Sequence, residues 1–136
     1  MFSEKELAYL KAHPLARLGT VTSAGQPDVD AVGYEFDGTR FYIGGTQLEE
    51  TRKYKNVAAG NTKVSLIIDD LQMEPFVPRG IKLHGKAEIV EREGRRFGFA
   101  KYLAVTPTVS WSWGVEEPHM QRGEYVPKKT RWKLPF

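Results

Sequence analysis

From Gly80 to Glu91 the chain alternates without a break. Ile81, Leu83, Gly85, Ala87 and Ile89 hold one set of positions, and Lys82, His84, Lys86 and Glu88 hold the other. Successive side chains of a strand point to opposite faces, so this period of two predicts a long strand with one buried and one polar face. Such a strand needs neighbours that share its core, and the chain supplies them at hairpin spacing. Leu15–Val21 reads as a strand, Thr22–Gln26 as a turn, and Pro27–Tyr34 as a second strand. Asp37-Gly38 is a hairpin signal ahead of a third strand, Arg40–Ile43. Two consecutive hairpins indicate an antiparallel meander. Lys63–Asp69 is the most apolar run and reads as a central strand. Asp70–Arg79, with Pro75 and Pro78, reads as a loop. Thr108–Val115 is a last strand, with Val109, Trp111, Trp113 and Val115 on one face.

Three helices are expected between these strands. Ser3 and Glu6 form a capping box, and Pro14 ends that helix near His13. A second helix runs to Gly60-Asn61 and has two rival starts. Thr46 with Glu49 would make another capping box. Thr51 would leave Arg52 and Lys53 in the first turn, and this start is preferred because it gives those cations a use. A third helix is expected over 93–105, with Phe97, Ala100, Tyr102 and Ala104 as its apolar contacts. About six strands with these helices close most easily into a small barrel, which removes exposed edges. The 136 residues suit one core. Residues 1–115 are read as the barrel domain and 116–136 as a C-terminal arm. Trp132, Leu134 and Phe136 alternate there, so the tip of the arm is expected to dock on the barrel or on a neighbouring subunit.

The stretch with the most chemistry is Gly44-Gly45-Thr46 through Thr51-Arg52-Lys53. Glycines let the backbone approach a ligand closely, a guanidinium offers a fork to phosphate oxygens, and an ammonium offers a point charge. On spacing alone the same residues also read as a hairpin-to-helix loop followed by a solvated helix. Other chemistries find less support. There is no cysteine, so thiol nucleophiles, thiolate metal sites and disulfides are excluded. His13, His84 and His119 form no HxH or HxxxH pair, so no metal site is expected. No Ser/His/Asp set is suggested by spacing. Asp69 and Asp70, as strand neighbours, point apart, so no carboxylate dyad and no catalytic side chain is expected. The net charge of +3 is too small to argue for nucleic acid. No run approaches the roughly 20 apolar residues of a membrane span, and no apolar signal core is visible. A cytoplasmic protein is the expectation.

The order of these elements resembles the pyridoxamine 5′-phosphate oxidase-like family of FMN-binding-like split β-barrels. Carrying the likeness are the Asp-Gly hairpin, the Gly/Thr loop, the helix start Thr51-Arg52-Lys53-Tyr54-Lys55-Asn56, and the strand Lys63-Val64-Ser65-Leu66-Ile67-Ile68-Asp69-Asp70. The segments Phe2–Leu10, Pro78–Glu88 and Val109-Ser110-Trp111-Ser112-Trp113-Gly114 are similar to the deazaflavin-dependent (coenzyme F-420) oxidoreductase branch. The likeness covers about residues 2–115. It implies a mainly β fold, a six- to seven-stranded antiparallel Greek-key barrel. It implies a homodimer with a non-covalent cofactor at the subunit interface and a small conjugated organic molecule as hydride acceptor. The cofactor so implied is F-420, with FMN as the alternative. A non-catalytic flavin or haem carrier on the same barrel is the rival outside enzymology. By this resemblance Lys53 and Arg52 hold the cofactor phosphate, with Gly45, Thr46 and Thr51 beside them. The backbone of Ala31, Val32 and Gly33 lines the ring, and Arg79 and Trp113 reach it from the other subunit.

Overall fold

The computed structural model describes residues 1–133. A helix, α1 (Glu4–Ala12), precedes β1 (Leu15–Val21), β2 (Pro27–Gly33), β3 (Glu35–Phe36) and β4 (Phe41–Ile43). A single 3-10 turn (Leu48–Glu50) leads into α2 (Arg52–Ala58). The rest is β5 (Lys63–Gln72), β6 (Val77–Gly94), β7 (Gly98–Trp113), β8 (Met120–Gln121), β9 (Glu124–Tyr125) and β10 (Lys128–Arg131). The Ser3 capping box is present as read, with Glu6 answering Ser3.

Antiparallel pairing runs β2-β1-β5-β6-β7-β4-β3, and β10 adds to β7. The two ends of that order, β2 and β3, are separated in sequence by Tyr34 alone. A flat sheet cannot hold its first and last strands one residue apart, so this one curls on itself. No ladder joins β2 to β3, which makes the barrel a split one. The inner face carries Leu18, Phe41, Ile43, Leu66, Ile68, Ile81, Leu83, Leu103 and Val105, all at most 1% exposed. The alternation that opened the sequence is obeyed: Ile81, Leu83, Gly85 and Ala87 are buried, while Lys82, His84, Lys86 and Glu88 are exposed.

The long β6–β7 ribbon carries one irregularity. The β6–β7 register shifts between His84 and Gly85, so that His84 pairs with Val109 and Gly85 with Pro107. Pro107 has no N–H to give a ladder, and a bulge is where a strand tolerates that. Gly85 is needed opposite it, because a Cβ there would lie 2.7 Å from Val105 Cγ1 and 2.8 Å from the Thr106 carbonyl oxygen.

Two expectations are corrected. Residues 93–105 are not a helix. They turn a hairpin between Gly94 and Gly98 and continue as β7, paired with β6 from Gly94↔Gly98 to Ala87↔Val105. Tyr102, Leu103, Ala104 and Val105 are all buried, with Leu103 and Val105 in the main core and Tyr102 and Ala104 in a second cluster with Tyr42. A strand covered on both faces loses its period of two and reads like a helix. Residues 70–79 are not an open loop either. Asp70↔Arg79, Leu71↔Pro78 and Gln72↔Val77 extend the β5–β6 ladder to a tight turn.

In the C-terminal arm, Lys128–Arg131 pairs with Ser112–Val109 of β7. Trp132 then turns onto the core, its ring 4.7 Å from Phe2 and its Nε1 donating to Ser110 Oγ at 3.0 Å. Leu134 and Phe136 lie outside the described residues. Among the described residues no helix is long and apolar enough to cross a membrane.

Candidate functional site

Of the two helix starts, Thr51 is the N-cap. It is extended (φ −80°, ψ 154°), and its Oγ1 accepts from the Tyr54 N–H at 3.3 Å. The same hydroxyl donates to the Leu48 carbonyl at 2.6 Å, so its one proton is committed to the turn before the helix. The Thr46–Glu49 box does not form. The 3-10 turn follows Gln47 with no side-chain cap, and Thr46 is exposed. Thr51→Ala is expected to cost about 1 kcal/mol of folding stability, read from the urea midpoint.

With the helix starting there, Lys53 falls in the first turn and leans on β2. Its Nζ lies 3.3 Å from Asp30 Oδ2, and the side chain is only 13% exposed, against 41% for Asp30. Asn56, buried, donates through Nδ2 to Thr20 Oγ1 at 2.9 Å and fastens α2 to β1. The next residues of β2 after Asp30 are Ala31, Val32 and Gly33, so Lys53 stands at one end of that segment. Val32 turns into the core, while Ala31 and Gly33 face outward. Arg52 is exposed beside Lys53, and Gly45 is half-buried. The donor set is a largely covered ammonium with an exposed guanidinium next to it. An ammonium and a guanidinium are donor types that suit a phosphate-bearing group, and Asp30, which holds Lys53 here, is 41% exposed. The set does not fit a metal ion, and among the described residues no group of three His, Asp or Glu side chains converges.

Arg79 and Trp113 belong to other sets of contacts in the chain. The Trp113 ring packs over Gly80, where any Cβ would overlap it. Arg79 donates through Nη2 to Asp70 Oδ2 at 2.9 Å and sits 5.4 Å above the Tyr9 ring. The Tyr9 hydroxyl donates to Asp70 Oδ1 at 2.6 Å, and His13 stacks on Tyr9 with ring centroids 4.1 Å apart. Among the described residues no hydrogen bond or ion pair links Arg79 to Lys53.

Burial by itself would raise the Asp70 carboxyl, but hydrogen bonds from Arg79 and Tyr9 outweigh it and hold the group below the usual carboxylate value. Burial, then the Asp70 hydrogen bond, pushes the Tyr9 phenol up. A carboxylate depressed in the folded state stabilises above its unfolded pKa, and that stabilisation is lost as pH falls. Asp70→Asn should therefore lower the unfolding temperature at pH 7, and the gap should close below about pH 4, near the ordinary carboxylate value. Thermal scans of both proteins across that range check it.

The sequence reading missed a third feature. A cavity of about 500 Å³ lies between α1 and the β6–β7 hairpin, lined among others by Leu7, Leu10, Phe36, Tyr42, Arg92 and Arg95. A smaller one of about 150 Å³ adjoins it and carries Gly33, Gly44, Arg96 and Phe97. Tyr34, Glu35 and Tyr42 line both. Arg95 and Arg96 were hidden because 93–105 read as a helix. The usable signal was Gly94 and Gly98 bracketing Arg95-Arg96-Phe97, a turn composition inside an otherwise apolar stretch.

The chain is similar to proteins of known kind. It is 33% identical over 121 residues to a 5a,11a-dehydrotetracycline/5a,11a-dehydrooxytetracycline reductase of Streptomyces rimosus subsp. rimosus, covering 85% of this chain and 84% of that protein. Its fold matches General Stress Protein 26 of Bacillus anthracis str. Sterne with a TM-score of 0.69, at 13% identity, over 95% of this chain and 97% of that one. It also matches an F420 reductase with a TM-score of 0.60, at 22% identity, over 81% of this chain and 98% of that one. At such identities these two structures speak for the split-barrel fold alone. The pyridoxamine 5′-phosphate oxidase family model matches residues 2–130, well past the end of the Trp-bearing strand. With that span matched and the barrel in place, the chain belongs to the pyridoxamine 5′-phosphate oxidase family.

Proposed function

We propose that this protein is an oxidoreductase that uses non-covalently bound coenzyme F-420 to reduce a conjugated C=C bond in a small organic molecule. The likeness that carries this reading is the one to a dehydrotetracycline reductase, which spans most of both chains. A match to an F420 reductase fold is compatible with the choice of cofactor. Lys53 and Arg52 would hold the phosphate, and the backbone of Ala31–Gly33 would lie along the ring. When bound in its reduced form, the cofactor would supply the hydride. The chain's own part is binding, orientation and exclusion of water.

In this reading the protein works as a homodimer. Leu15 and Val29 on the outer face of β1 and β2 are 50% and 68% exposed in the single chain, and cover by a second copy would bring Arg79 and Trp113 of the partner toward the ring. FMN is the competing cofactor. Titration of the purified protein with F-420 and with FMN, followed by ring fluorescence, separates the two. Tight binding of F-420, and hydride transfer from reduced F-420 to a conjugated enone, are the expected results. A flavin-yellow protein that binds FMN more tightly would replace F-420 with FMN, and binding of neither would end the reading.

A further inference from the structure

The two cavities beside the β6–β7 hairpin have a charge imbalance that the fold does not use. Their acids are already satisfied. Asp37 accepts from the backbone N–H groups of Thr39 and Arg40 and from the Tyr42 hydroxyl, each at 2.8 Å. Glu35 accepts from the Arg95 backbone N–H at 3.1 Å. The Tyr34 hydroxyl is spent on the Leu10 and His13 carbonyls, both at 2.8 Å. The cations are not matched in the same way. Lys11, Arg95 and Arg96 make no ion pair among the described residues. Arg92 stacks 4.0 Å from the Tyr42 ring centroid, and its Nη1 reaches within 3.5 Å of Glu35 Oε2. That Nη1 is nevertheless a buried donor with no hydrogen-bond partner.

The position matters as much as the charge. Lys53 meets β2 at Asp30, and Gly33, three residues on, lines the smaller cavity. Strand geometry puts those points about 10 Å apart, the length of a fused three-ring system. The cavities therefore open at the far end of the segment from the phosphate-binding cations. Their volume lies in the range of small-molecule sites. Leu7, Leu10, Pro14 and Phe36 give the larger one apolar lining in addition to Arg92 and Arg95.

We propose that these joined cavities are the substrate subsite and that they take a planar organic anion, its charge against Arg92 and Arg95 and its apolar body against Leu7, Leu10 and Phe36. The role as substrate subsite rests on the reductase reading above. The binding itself does not, so the two can fail separately.

The probes are 2-naphthoate and its neutral methyl ester, titrated by their own fluorescence into the full chain without cofactor. The acid should bind at least about tenfold more tightly than the ester, as one charge-assisted hydrogen bond warrants. Arg95→Gln should weaken the acid by about tenfold and leave the ester unchanged. Arg92→Lys, which keeps the charge but loses the planar fork, should weaken the acid as well, and it serves as the second variant because Arg95 is exposed whereas Arg92 packs on Tyr42. Equal binding of acid and ester, or an acid affinity untouched by both substitutions, overturns the proposal. So does a loss of F-420 affinity in Arg95→Gln with 2-naphthoate unaffected, since the cavity would then hold the acidic tail of the cofactor. If neither F-420 nor FMN binds while the naphthoate results hold, the reductase reading falls and the anion site stands.

Discussion

Phe41→Ala should lower the free energy of unfolding by about 3–5 kcal/mol, the range for emptying a fully buried aromatic position. Phe41 has no exposed surface. It lies where the split in the barrel has to be filled. Its ring is 4.4 Å from Phe36, 5.5 Å from Tyr34 and 6.0 Å from Phe2. Phe2 carries the contact onward to Trp132. One ring thus joins the N-terminal segment, the β3–β4 hairpin and the segment that follows β10. These pieces are distant in sequence and cannot collapse together into the vacated space without breaking ladder bonds, so relaxation should be slight. Urea unfolding of the two proteins at equal slope measures the loss. A cost under about 1 kcal/mol, typical of an ordinary surface site, would mean that the aromatic cluster does not close the barrel.

The legible parts of this fold were those in which one face is wet. β1, β2 and the first half of β6 alternate, and hairpin residues sit between them, so strand and partner could both be read. β7 was lost for the opposite reason. Residues 102–105 are covered on both sides, by the main core and by the Tyr42 cluster, and no alternation survives there. The turn at 73–76 was overdrawn because Pro75 and Pro78 suggested a loop, whereas Pro78 stands in a ladder opposite Leu71. At the candidate site, Lys53 was legible because a Thr-capped helix start with adjoining cations is a local pattern. Its pairing with Asp30 was not, since that contact spans strand and helix and has no local signature. Arg92 and Arg95 face α1 only because a hairpin was folded there, so mistaking one element also hid a cluster. Long-range juxtapositions of this kind depend on the topology, and the sequence shows them only after each intervening element is assigned correctly.

Lys53→Ala should weaken cofactor binding by about 10- to 100-fold, the loss of one charge-assisted hydrogen bond of roughly 1.5–3 kcal/mol. It should leave the fold nearly as stable as before. The two effects separate because of where the pair sits. Asp30 is 41% exposed, and an ion pair of that kind contributes at most about 1 kcal/mol to folding. The ammonium itself is only 13% exposed, so an anion that replaces Asp30 meets a largely desolvated cation and gains more from it than water would allow. Lys53→Arg provides the discriminating control. A guanidinium keeps the charge but not the compact head that fits between α2 and β2, so affinity should return only in part. Fluorescence titration with F-420 and FMN gives the affinities, and urea unfolding gives the stabilities. Unchanged affinity in Lys53→Ala would move the phosphate away from α2. An equal loss in affinity and in folding stability would mean that Lys53 holds α2 against the barrel and acts on the cofactor only through the fold.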